Sequence, residues 1–105
     1  CDGRLAYGSV RLADLEATGA VSQDGEDLVN YTLSITGVEV GLLFVEMQSG
    51  GVKVSFRSKS NIDCTLLASQ FGGGGHRQAS GATIDAPIAQ AESRVIKAVQ
   101  TALAI

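Results

Sequence analysis

The residues most able to do chemistry lie in one run, Phe71-Gly72-Gly73-Gly74-Gly75-His76-Arg77-Gln78-Ala79-Ser80-Gly81. Glycine costs backbone entropy, so four in succession call for a reason. One reason is close approach of the main chain to a ligand. Without Cβ atoms, successive N–H groups can converge on a phosphate oxygen as an anion nest. A short helix beginning near His76 would add the positive end of its dipole. His76 and Arg77 supply charged or polar donors where such a backbone already favours an anion. The other reason is purely structural, a glycine-rich turn that lets two helices cross. The run lacks the Gly-Lys-Ser/Thr ending of a Walker A loop. It also follows a helical stretch rather than a strand, unlike a dinucleotide fingerprint.

A second cluster, Arg57-Ser58-Lys59-Ser60-Asn61, closes a strand-like segment. Strand ends that feed loops are common ligand positions. The planar fork of Arg57 suits a phosphate or a guanine edge. Standing alone, Arg57 reads as a solvated surface residue and the serines as turn residues. The cluster gains meaning if the fold brings it beside the glycines. Other candidates have plainer explanations. Glu46 is accounted for by a cross-strand pair with Lys53. Asp24, Glu26 and Asp27 crowd a helix start, where the macrodipole favours them. Tyr7 and Tyr31 read as partly buried structural residues. Cys64 begins a helix, which can lower a thiol pKa, yet a structural role is the simpler reading.

The elements that must position these residues can be read from periodicity. Residues 5–10 form a short strand. Residues 12–17 make one or two helical turns ended by Gly19, and residues 24–35 a second helix with Leu28, Tyr31, Thr32 and Ile35 inward. Residues 38–47 form a strand whose centre is apolar on both faces, as in a covered central strand. Gln48-Ser49-Gly50-Gly51 turns the chain into residues 52–58, where Val52, Val54 and Phe56 alternate with Lys53, Ser55 and Arg57. That register sets Lys53 against Glu46 and Arg57 near Leu42. Asp63 reads as a helix N-cap with Ile62 and Leu67 as a hydrophobic staple, and the helix stops at Gly72. Residues 82–84 add a brief strand. The last helix starts at Asp85 or Ala86 with Pro87 in its first turn, and buries Ile88, Ala91, Val95, Val99 and Ala102. The expected fold is α/β, a mixed β-sheet with a central hairpin flanked by helices.

Composition limits the classes of function. The chain has 105 residues, one domain's worth, of which 45% are hydrophobic. A net charge of −3 argues against broad gripping of long nucleic acid, but not against a local pocket for one or two phosphates. Two cysteines and one histidine make a zinc site a poor reading. A Cys1–Cys64 disulfide is possible, but reduced thiols in a cytoplasmic protein are the preferred reading. No apolar run reaches membrane-spanning length. The opening Cys-Asp-Gly, without Met, reads as a fragment of a longer protein.

The stretches Ser55-Phe56-Arg57-Ser58-Lys59-Ser60-Asn61-Ile62-Asp63 and Leu67-Ala68-Ser69-Gln70 leading into the Gly72–Gly75/His76 core resemble the C-terminal DHH-associated domain of RecJ-like DHH phosphoesterases. The oligoribonuclease and pAp phosphatase branch is the best match, over nearly the full length. The resemblance implies an enzyme whose N-terminal DHH domain holds two manganese ions on Asp and His ligands. The present chain would bind the rest of the substrate across a cleft, with Arg57 and Ser58 on the nucleotide. Gly73, Gly74, Gly75 and His76 would hold its phosphate or base edge. Ser80 departs mildly from the small apolar residue expected there. No catalytic residue and no metal ligand is expected in this chain, and alone it is expected to be inactive. Expected partners are a nucleotide or short single-stranded oligonucleotide, the DHH domain and, as a possibility, a second copy. A cyclic-dinucleotide phosphodiesterase domain and a non-catalytic RNA-binding module, as in the related domain of alanyl-tRNA synthetase, are the competing readings.

Overall fold

A computed structural model describes residues 4–10, 34, 37–47, 50–59 and 62–103. The expected helices over 12–17 and 24–35 fall, apart from Ser34, outside the described residues. Strand β1 spans Leu5–Val10, β2 Val40–Glu46 and β3 Val52–Ser58. Helix α1 is Cys64–Ser69. A second hairpin follows, with β4 at Gly74–His76 and β5 at Ala79–Ile84. Helix α2 closes the described chain at Ile88–Ala102.

The five strands form one sheet in the order β1-β2-β3-β5-β4. The β1–β2 pair is parallel, and the other three pairs are antiparallel. The expected mixed α/β fold with a central hairpin is therefore present. Alternation along each strand sends one set of side chains into the core. These are Val40, Leu42 and Phe44, then Val52, Val54 and Phe56, then Ala82 and Ile84. Both described helices cover this face, α1 through Cys64, Leu67 and Ala68, and α2 through Ile88, Ala91, Val95 and Val99. Leu43, which alternation sends to the other face, is buried as well. That agrees with a strand apolar on both sides.

Several boundaries differ from the sequence reading. The β2–β3 register pairs Val45 with Lys53 and Glu46 with Val52, and Arg57 with Gly41 rather than Leu42. The turn, held by Met47 N to Gly51 O at 3.1 Å and Gly50 N to Met47 O at 3.0 Å, leaves one residue fewer between Glu46 and its partner than the register assumed. With a side-chain period of two, a slip of one residue puts Glu46 and Lys53 on opposite faces, so the expected cross-strand pair does not form. Strand β5 begins at Ala79, not at 82. Helix α2 begins at Ile88 after the extended Pro87 (ψ 151°). Ala102 is exposed, and Leu103 closes the buried stripe instead.

Helix α1 is short, so its ends matter. Asp63 Oδ1 accepts from Thr65 N at 2.9 Å, the expected N-cap. At the other end Gly73 N donates to Ala68 O at 2.9 Å and Gly72 N to Ser69 O at 3.2 Å. Gly72 there has φ +78°. This is the Schellman pattern, with glycine in the left-handed position. At the far side of the sheet, Arg4 ion-pairs with Glu39 and donates to Leu103 O at 3.0 Å. That contact ties β1 to the carbonyl end of α2, where a cation is favoured. Asp63→Ala should cost about 1 kcal/mol of stability through the lost cap. A thermal midpoint within error of wild type would show that α1 does not depend on it.

Candidate functional site

The two candidate clusters meet at one end of the sheet. Arg57 on β3 pairs with Ala79 on β5, and Ala79 pairs with His76 on β4. The three residues form one cross-strand row, so their side chains share a face. That face is the one opposite both described helices, since Phe56 and Ser80, the next residues along β3 and β5, belong to the helix-covered side. Two interstrand spacings separate the Arg57 and His76 backbones by about 10 Å, with only the methyl group of Ala79 between them. His76 is exposed and Arg57 half-buried. The Arg57 Nη1 donates to Phe56 O at 2.9 Å. The neighbouring row on this face is Ser55, Gly81 and Gly74, all small. The result is a shallow floor of small residues with a guanidinium on one side and an imidazole on the other.

The glycine run divides into separate roles. Gly72 serves the end of α1. A Cβ on Gly73 would lie 2.1 Å from Gly81 O and 2.7 Å from Ala82 Cα. A Cβ on Gly75, whose φ is +148°, would lie 2.8 Å from both Ala79 O and Ser80 Cα. These two glycines let β4 lie tightly against β5. At Gly74 a Cβ would meet nothing within 4 Å. It is exposed, on the Arg57 and His76 face, and the fold itself does not require its missing side chain. The Gly72 and Gly73 amides are spent on α1 carbonyls and so do not contribute to an anion nest. His76 likewise starts no helix. It ends an edge strand and enters the two-residue turn Arg77-Gln78.

The turn is anchored from both sides. Cys64 N donates to Arg77 O at 2.7 Å, and Ser58 N donates to Gln78 O at 3.0 Å. The free amide at the start of α1 is thus used by the hairpin. Ser58, expected on the nucleotide, has its side chain buried at 4% exposure on the helix-covered side. The sheet places it away from Arg57 and His76, and its amide holds the hairpin. Lys59 and Arg77 are exposed near the same end. A groove near Glu46, Gly51, Asp85 and Pro87 opens at the opposite end of the sheet. Its charged lining is two carboxylates, a poor match for phosphate.

Sequence reading missed that β5 starts at Ala79 and that Ala79 and Gly81 form the floor. Two residues between Gly-Gly-His and Ala-Ser-Gly are a hairpin-loop spacing, which was the available signal. Arms made of Gly, Ala and Ser carry almost no strand propensity, which hid it.

Cys64 is fully buried and free. Burial pushes its thiol up to about 11, against a smaller lowering by Arg57 and a minor rise from Asp63. The helix-start effect does not win, and the residue is a core side chain. Among the described residues no group of three or more His, Cys, Asp and Glu side chains is placed to hold a metal ion.

A family model described as the DHHA1 domain matches residues 7–104, and the chain belongs to that family. The bifunctional oligoribonuclease and PAP phosphatase NrnA of Thermus thermophilus is 35% identical over 92 residues, covering 87% of this chain and 28% of that protein. The crystal structure of an exopolyphosphatase-related protein from Bacteroides fragilis superposes with a TM-score of 0.80 at 29% identity, over 97% of this chain and 29% of that one. The C-Ala domain of Aquifex aeolicus alanyl-tRNA synthetase has a TM-score of 0.69 over 94% of this chain and 89% of its own, at 15% identity, which shows a shared fold alone. The chain spans less than a third of the length of its NrnA relative.

Two predictions follow from the packing. Gly73→Ala and Gly75→Ala should each destabilise the protein by about 2 kcal/mol or more, whereas Gly74→Ala should stay within about 0.5 kcal/mol of wild type. Equal losses in thermal midpoint at all three would overturn the division of roles. For Cys64, the folded-state pKa lies above the ordinary 9.0. Its contribution to stability is complete below pH 9 and is lost as pH rises towards 11. The wild-type midpoint should therefore fall more steeply over that interval than that of Cys64→Ala, and parallel curves would contradict a buried thiol.

Proposed function

We propose that this chain is the substrate-binding domain of a DHH phosphoesterase that hydrolyses short RNA oligonucleotides, pAp or both. The observation that carries the reading is the Arg57–Ala79–His76 row on the face away from the helices, with Gly74 beside it. The similarity to an oligoribonuclease and PAP phosphatase supports the choice of substrate. A phosphate seated over Ala79 has a forked cation on one side and an imidazole on the other, and no Cβ at Gly74 to keep a sugar or base away. Arg57 grips by paired hydrogen bonds and His76 by one. Ser58 and the glycines at 73 and 75 serve the site by shaping it.

The chemistry belongs to a separate DHH domain, which would carry two manganese ions that activate water and neutralise charge at the scissile phosphate. The present residues bind, orient and help exclude water; they supply no nucleophile. The cleft between the two domains would then set the length of substrate admitted.

In the full-length protein, Arg57→Ala and His76→Ala should each lower kcat/KM by about 1.5–3 kcal/mol, roughly ten- to 150-fold, through loss of a charge-assisted hydrogen bond. Binding of labelled oligonucleotides should plateau within a few nucleotides. Its log–log salt slope should be about −0.7 to −1.4, the value for one or two single-strand phosphates. A slope near −4 with affinity still climbing at longer lengths would replace this reading with that of a general RNA-binding module.

A further inference from the structure

We propose that Ser80 is a positioning residue for His76, acting through the main chain from the opposite face of the sheet. The proposal rests on the reading that His76 contacts substrate. Ser80 lies on the helix-covered face of β5, 5% exposed, paired with Phe56 on one side and Gly75 on the other. An apolar residue would suit that position, since a buried hydroxyl without a partner is costly. The partner is His76 itself. Ser80 Oγ donates to His76 O at 2.6 Å.

The bond matters because of where it sits. Strand β4 has three residues, two of them glycine, at the edge of the sheet. Glycine imposes little restraint of its own, and the bonds from Cys64 and Ser58 anchor the turn at Arg77 and Gln78, beyond His76 itself. The hydroxyl fixes the carbonyl of His76 from below while the imidazole projects above. The same oxygen lies 3.0 Å from where a Gly75 Cβ would stand, so one hydroxyl packs against the glycine and tethers the histidine that follows it. Ser80 touches no substrate; it narrows the directions in which the imidazole can point. The outcome is a histidine pre-aimed at the floor over Ala79, so less freedom is lost when a phosphate binds.

The test is a double-mutant cycle in the full-length protein, with pAp binding measured by calorimetry without divalent metal and the thermal midpoint measured alongside. Ser80→Ala should weaken pAp binding about three- to tenfold, the loss of one neutral hydrogen bond. In a His76→Ala background the same change should alter affinity less than about twofold, while the two losses in midpoint add. A purely structural role would not produce that split. Ser80→Thr keeps the donor and should regain most of the affinity; if the added methyl unfolds the protein, the alanine cycle still decides. If His76→Ala leaves pAp affinity unchanged, the reading of the site itself fails. If His76→Ala weakens binding but Ser80→Ala does not, or costs the same factor with and without His76, the positioning role is overturned.

Discussion

The site depends on the direct contact of two backbones. Strand β4 lies against β5 so closely that a single Cβ at Gly73 would sit 2.1 Å from a carbonyl oxygen. No rotamer change relieves such a clash, because both partners are main chain. Remove that approach and the edge strand moves outward, taking His76 away from Ala79 and Arg57. The glycines at 73 and 75 give up conformational entropy in the folded state. What offsets it is a network of main-chain bonds around the hairpin, from Gly73 to α1, from Arg77 back to Cys64 and from Gln78 to Ser58. Helix, central strand and edge hairpin therefore hold one another, and none of the three can shift alone without breaking a bond.

Much of this was legible in the sequence because it follows from local rules. The alternation of Val52 to Phe56 fixed which side of β3 is core, and hence that Arg57 faces away from it. The Asp63 cap and the Gly72 stop marked both ends of α1 through residue chemistry alone. Reading failed where neighbours decide the answer. The connection after β2 is one residue shorter than assumed, and that small difference puts Lys53 on the opposite face from Glu46. The Gly-Gly-His segment reads as a nest or turn because nothing in its composition favours a strand. It becomes one only because β5 is beside it to pair with. Ser58 and Arg57 looked equivalent as donors in the linear sequence, yet the pleat separates them onto opposite faces.

That separation gives the domain a division of labour between its two sides. The helix-covered face makes structural bonds: the Ser80 hydroxyl donates to His76 O, and the amide of Ser58, whose side chain is buried there, donates to Gln78 O. The open face holds Lys53, Arg57 and the His76 imidazole by alternation. The first side can be rigid because it is buried. The second can meet a ligand because between its cations it carries only Ser55, Ala79, Gly81 and Gly74. Rigid support beneath and low relief above are both needed if a planar base or a phosphate is to be held by few contacts.

Among the described residues, the carboxylates of the groove and the proposed anion site lie apart along the sheet. Glu46 and Asp85 lie beside the opposite end of the β2–β3 ladder from Arg57. Five residues along a strand are about 16 Å. At physiological salt the screening length is about 8 Å, so those carboxylates act weakly on a phosphate over Ala79. Nearer this end, the Glu39 carboxylate is ion-paired with Arg4, and Asp63 accepts a hydrogen bond from the Thr65 amide. Among the described residues, Arg57 flanks the floor, and Lys59 and Arg77 are exposed near the same end. On the open face the far end of β3 carries Lys53, and alternation turns Glu46 to the helix-covered side.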